Sequence, residues 1–219
     1  MLNKLRWKFV LINMILVTLV LTIVFTAVLA SSYHRLEMDG VQAMERVLRE
    51  GDTAFPKREI GGKLSWTRPG GQHLTLKFFG DVSTDDVDSI GRAVKDRLAA
   101  GWTLNLKIEK LGVFPDARKP RVLWCGTSGD VEKLAALQKK LDADFAGIGF
   151  PKEDRPFRAH LTLARIKDPR SPAGIDKALQ KYRDFSTGVF AVRELILFQS
   201  NLTPQGATYT RLATFPLES

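Results

Sequence analysis

Two of the three histidines in this 219-residue chain open the same tetrapeptide: His73-Leu74-Thr75-Leu76 recurs as His160-Leu161-Thr162-Leu163. Two such occurrences by chance run at roughly one in a million before strand bias is counted. Both stretches alternate in polarity as a half-buried strand does. His and Thr then share one face, and the two leucines turn to a core. Should the two polar faces meet across a groove, two imidazoles and two hydroxyls converge. One neutral imidazole can take a proton from water while one imidazolium protonates a leaving oxygen. The hydroxyls can donate to non-bridging oxygens. Together these groups suit in-line displacement at phosphorus. They make a poor zinc site, since no Asp, Glu or Cys joins the two histidines at ligand spacing.

Alternating strands and helices must position these groups. Gly71 to Gly80 reads as a strand, followed by a helix from the Ser83/Asp86 capping pair to about Ala100, with Val87, Ile90, Val94 and Leu98 on one face. Strands are expected at 103–113 and 122–126, then a helix at 131–146 with Leu134, Leu137, Leu141 and Phe145 inward. The second motif strand spans 160–166, a short helix 175–182, and two last strands 188–199 and 207–216. Short connections between such blocks predict an α+β fold with mainly antiparallel sheets.

The front of the chain is different. Residues 9–30, FVLINMILVTLVLTIVFTAVLA, carry no charge and follow Lys4, Arg6 and Lys8. At 1.5 Å per residue this run spans a hydrocarbon core of about 30 Å, and it exceeds the usual signal-peptide core of about 7–15 residues. Residues 1–30 therefore read as a basic start and an uncleaved transmembrane anchor. The leading cations favour a cytoplasmic N-terminus, but Arg35, Arg46 and Arg49 weaken the asymmetry, so the side of the catalytic domain stays open. An RNA substrate would favour a cytoplasmic domain. Residues 31–61 read as a polar connector, with Val41, Met44, Val47 and Leu48 at helical spacing and Leu36 and Met38 loosely extending that helix upstream. The soluble domain follows at 62–219. Residues 1–50 are loosely similar to the first membrane segment of bacterial sensor kinases, without a catalytic motif.

Lys+Arg 33 against Asp+Glu 24 give a net charge of +9, which favours polyanionic partners. One cysteine, Cys125, excludes an internal disulfide; within Val-Leu-Trp-Cys-Gly it reads as a buried small hydrophobe. Phe78, Phe79 and Trp124 could stack bases or simply fill the core. Arg118, Lys119 and Arg121 suit either an RNA backbone or a solvated loop.

Paired H-L-T-L strands in a basic α+β domain resemble the two-histidine phosphoesterases, specifically the LigT-like RNA 2′,3′-cyclic phosphodiesterases. Further matching stretches are Trp66-Thr67-Arg68-Pro69, Lys77-Phe78-Phe79-Gly80, Gly112-Val113-Phe114-Pro115, Arg121-Val122-Leu123-Trp124, Arg155-Pro156-Phe157-Arg158, Ala164-Arg165 and Ser200-Asn201-Leu202-Thr203-Pro204. The resemblance implies a bilobal fold of two pseudo-symmetric antiparallel sheets with helices outside. It implies His73 as proton donor to the leaving 3′ oxygen and His160 as proton acceptor from water. Thr75, Thr162 and Arg165 would bind the phosphate, and Phe79 and Trp124 are candidates for base stacking. The implied reaction opens an RNA 2′,3′-cyclic phosphate to a 2′-phosphomonoester without metal or cofactor, in a monomer, with 2′–5′ RNA joining as its reverse. Two other readings stand beside it: a related phosphodiesterase acting on small cyclic nucleotides or 2′–5′ oligonucleotides, and a membrane-tethered RNA-binding protein with impaired catalysis. The last rests on a departure from the family pattern. Members open with an apolar strand of the type M-R-x-F-I-A-I, and none is expected here between Ser31 and Ile60.

Overall fold

The computed structural model describes residues 33–39, 60–68, 71–168, 173–203 and 206–217. The apolar run at 9–30 and the expected helix near 41–50 lie outside the described residues. Among the described residues, no helix is long and apolar enough to cross a membrane.

The strands are β1 (Tyr33–Asp39), β2 (Leu64–Trp66), β3 (Thr75–Ser83), β4 (Leu104–Phe114), β5 (Val122–Gly129), β6 (His160–Ile166), β7 (Phe190–Val192), β8 (Glu194–Thr203) and β9 (Gly206–Pro216). The helices are α1 (Thr84–Leu98), α2 (Val131–Gly147) and α3 (Ile175–Lys181). Two sheets result, one ordered β3-β1-β8-β9 and one β2-β6-β5-β4-β7, with antiparallel neighbours throughout. Each sheet carries one histidine motif at the start of a strand, β3 in the first and β6 in the second.

The expected absence of an opening strand is corrected. β1 pairs with β3 on one side and β8 on the other, in the middle of the first sheet. Its sequence, Tyr-His-Arg-Leu-Glu-Met-Asp, alternates with a period of two. Leu36 and Met38 belong to that alternation and not to a helix. β1 joins β3 to β8, so β3 forms an edge of this sheet and is not cut off from it.

The helices pack where their apolar faces predict. Ile90 and Val94 of α1 are fully buried, and α1 contacts β3 and β9. At its start Ser83 donates to the Asp86 carboxylate (2.6 Å). Leu134, Leu137, Leu141 and Phe145 of α2 are buried, and α2 contacts both β3 and β4, so one helix touches both sheets. Arg97 of α1 grips Asp144 of α2 through two hydrogen bonds (2.7 and 2.6 Å), which raises the guanidinium pKa further above its ordinary value. The four motif leucines, Leu74, Leu76, Leu161 and Leu163, lie in the shared core at 4% exposure or less, as their alternation demands. Each such burial contributes about 1.5–3 kcal/mol.

Candidate active site

The two sheets meet at the motifs. Leu74 and Leu161 form an isolated antiparallel bridge. Antiparallel neighbours run in opposite order, so this one pair fixes the rest: His73 falls beside Thr162, and Thr75 beside His160. Opposed residues on one face sit about 4.5–5.5 Å apart at Cβ. Because the leucines face the core, all four polar side chains share the other face, where each is half-buried. The histidines occupy one diagonal of this square and the threonines the other.

Both strands then break their alternation at the same point. Opposite β1, Thr75 and Lys77 pair with Asp39 and Met38, which leaves Leu76 as an extra residue. Opposite β5, Thr162 and Ala164 pair with Trp124 and Leu123, which leaves Leu163 as an extra residue. These are β-bulges at the fourth motif position, and each turns two consecutive residues inward. Leu76 and Lys77 are both 4% exposed, and Leu163 and Ala164 are 3% and 0% exposed. The fifth residue after each histidine therefore returns to the polar face. In the second motif it is Arg165, exposed and in register with Val122 and Ser65. In the first it is Phe78, 44% exposed. A regular strand would have aimed Arg165 into the core.

Each imidazole is walled by aromatic rings. His73 meets Tyr209 edge-on (centroids 4.7 Å apart) and lies 6.2 Å from Phe198. His160 meets Phe114 edge-on at 5.1 Å and Trp124 at 6.4 Å. His160 Nδ1 donates to the Arg158 carbonyl (2.6 Å), which can only accept. The neutral ring then carries its proton on Nδ1 and its lone pair on Nε2. The Arg158 guanidinium lies over Phe114 at 5.8 Å.

Of the two aromatic residues expected to stack bases, Trp124 lies on the polar face beside His160. Its indole covers Gly112, where any Cβ would overlap the ring. Phe79, read above as stacking or core-filling, packs against the core. Its ring turns toward the end of α2, edge-on to Phe145 (4.9 Å) and to Phe150 in the loop that follows (5.0 Å). Phe78, its neighbour, holds the exposed position. Phe114, Phe198 and Tyr209 were not expected at the histidines, since each comes from a strand distant in sequence; Arg158, two residues before His160, was not expected there either. Arg118, Lys119 and Arg121 lie exposed in the 115–121 loop, where Asp116 accepts from the Arg118 and Lys119 amides (2.8 and 3.2 Å). Cys125 is fully buried, and burial pushes its thiol up to about 12, so it is no nucleophile. Among the described residues, no group of three His, Cys, Asp or Glu side chains is placed to hold a metal.

The family model described as LigT like Phosphoesterase matches residues 53–124 and 127–209. This chain belongs to that family. An RNA 2′,3′-cyclic phosphodiesterase of Methanothermobacter thermautotrophicus is 34% identical over 160 residues, covering 73% of this chain and 86% of the relative. One of Aquifex aeolicus is 33% identical over 177 residues, covering 80% and 90%. E. coli LigT complexed with 3′-AMP shares the fold, with a TM-score of 0.65 at 23% identity, over 85% of this chain and 99% of that one. The LigT-like assignment accords with the two antiparallel sheets and with a motif strand in each.

Proposed function

We propose that this LigT-like chain hydrolyses terminal 2′,3′-cyclic phosphates of RNA to 2′-phosphomonoesters by acid–base catalysis shared between His73 and His160. The Leu74–Leu161 bridge carries this reading, because it sets the histidines on one diagonal and the threonines on the other. In-line displacement needs the entering and leaving oxygens on opposite sides of phosphorus. A phosphate centred on the square would have one imidazole toward each. The names of the two relatives described above support the substrate class.

His160 suits the base, since the Arg158 carbonyl holds its proton on Nδ1 and leaves Nε2 open. Water attacks phosphorus and passes a proton to Nε2. The P–O3′ bond breaks, and His73, entering as imidazolium, protonates O3′. The P–O2′ bond stays, so the product is a 2′-phosphate and a free 3′ hydroxyl. Thr75 and Thr162 donate to the non-bridging oxygens, and Arg165 offsets the charge that grows on them. Joining RNA ends 2′–5′ is not the reverse of this hydrolysis: a 5′ hydroxyl would take the place of water, His160 would accept its proton, the P–O3′ bond would break and His73 would again protonate O3′. We also propose that the uncharged run at 9–30 tethers the enzyme to a membrane, on the strength of its length and flanking cations.

The test is an RNA oligonucleotide ending in a 2′,3′-cyclic phosphate, incubated with the protein in EDTA and resolved by product. A 2′-phosphate, absent with His73→Ala and with His160→Ala, is expected. A 3′-phosphate, or turnover that EDTA abolishes, would contradict the reading. An equal rate on mononucleoside cyclic phosphates would favour a small-substrate phosphodiesterase.

A further inference from the structure

The two bulges are alike in backbone but not in how they are held. In the second motif the carbonyl of the extra residue, Leu163, accepts from the Thr67 amide (2.8 Å), and the next inward residue is Ala164, an apolar side chain in an apolar core. In the first motif the carbonyl of the extra residue, Leu76, accepts from the side chain of Gln138 (Nε2, 3.3 Å). The next inward residue is a lysine. Lys77, buried with its ammonium, donates to Asp142 Oδ1 (2.6 Å) and to the Pro151 carbonyl (2.5 Å). Gln138 and Asp142 are one turn apart on α2, both 8% exposed, and α2 follows β5 of the other sheet.

A buried amide and a buried carboxylate are costly to retain for packing alone, and an apolar pair serves at the second bulge. Gln138 and Asp142 reach two consecutive residues, Asp142 also accepting from the Glu153 amide (3.2 Å), and those two residues decide which way Thr75 and Phe78 point. Straightening the bulge would turn Thr75 and Phe78 to opposite faces. We infer that Gln138 and Asp142 are positioning residues: α2 reaches across from the second sheet and clamps the Leu76-Lys77 bulge, aiming Thr75 at the phosphate. This rests on the role proposed above for Thr75.

A double-mutant cycle in the full chain separates aiming from stability. Gln138→Leu removes the donor to Leu76 and keeps similar bulk. It is expected to lower kcat about 10-fold or more with KM changed less than about 3-fold, since a small misplacement of a phosphate contact acts on the transition state. The cost should vanish in the Thr75→Ala background, so that Gln138→Leu/Thr75→Ala equals Thr75→Ala within about 2-fold. Should Gln138→Leu fail to fold, Asp142→Asn, which keeps an acceptor for Lys77, enters the same cycle with a smaller expected loss. Losses that multiply, or a folded Gln138→Leu protein with wild-type kcat beside a crippled Thr75→Ala, would overturn the clamp and leave the two-histidine reading standing. A wild-type kcat in Thr75→Ala would overturn the phosphate role of Thr75 and the clamp with it.

Discussion

Leu74 and Leu161 face each other across the seam between the two sheets, and no other bridge joins the two motif strands among the described residues. Both are fully buried. This apolar pair sets the register of the four half-buried polar side chains on the other face. Trimming either leucine to Ala should cost about 2–5 kcal/mol of stability. The loosened seam should also lower kcat in the protein that remains folded. Thermal unfolding and steady-state kinetics on Leu74→Ala and Leu161→Ala check both.

The proposed phosphate contacts make distinct predictions. Thr75→Ala and Thr162→Ala should each lower kcat about 10²–10³-fold, the usual effect of one lost donor at a charge-developing oxygen. Serine at either position keeps the hydroxyl and should retain most of the rate. Arg165→Lys keeps the charge without the planar fork, so it should fall between wild type and Arg165→Ala. Single-turnover kinetics on a labelled RNA would show this, and Thr→Ser variants as poor as Thr→Ala would point to lost packing instead.

Much of this site was legible in the sequence, and the limits are physical. The tetrapeptide repeat marks the strands, and its period of two puts His and Thr opposite the leucines. The burial of all four motif leucines follows from that period alone. Nothing local reveals that Leu74 pairs with Leu161, because a bridge between distant strands leaves no periodic trace. The bulges were hidden for a different reason. Leu163-Ala164 hints at two inward residues, but Lys77 reads as a surface residue until Asp142, 65 positions away, is seen beside it. β1 was missed because Leu36 and Met38 also fit the helical spacing that follows them. The alternation of Arg35, Glu37 and Asp39 was the signal that distinguished the two. Phe79 stayed open between stacking and core because adjacent aromatic residues carry no mark of which one faces the core.

Gly112 offers a test of the aromatic wall. Its missing side chain makes room for the Trp124 indole, and Trp124 stands 6.4 Å from His160. Gly112→Ala should displace the indole and cost about 1–3 kcal/mol through overpacking. Activity should fall with it, as the wall around His160 shifts. A Gly112→Ala protein with unchanged melting temperature and kcat would place the indole elsewhere.

Cys125 predicts a pH dependence. The folded thiol, pushed up to about 12, keeps its proton where an unfolded thiol with an ordinary pKa of about 8.5 has lost it. In that window the unfolded state binds fewer protons, so the contribution is fully present below about pH 8.5 and is lost as pH rises toward 12. Stability of the wild type should therefore fall more steeply than that of Cys125→Ala, by up to about 1.4 kcal/mol per pH unit. Denaturant titrations between pH 8 and 11 measure the difference. Native protein at pH 8 should also resist alkylation that the unfolded chain accepts.

The central claim is that His73 and His160 divide acid and base across one phosphate. The most direct test is the pH dependence of kcat/KM on a 2′,3′-cyclic-phosphate RNA for wild type, His73→Ala and His160→Ala. The wild type should give a bell. His160→Ala should lose the limb that rises from low pH, His73→Ala the limb that falls at high pH, and each should slow the reaction about 10²–10⁴-fold. A bell that survives in either variant at wild-type height would contradict the account.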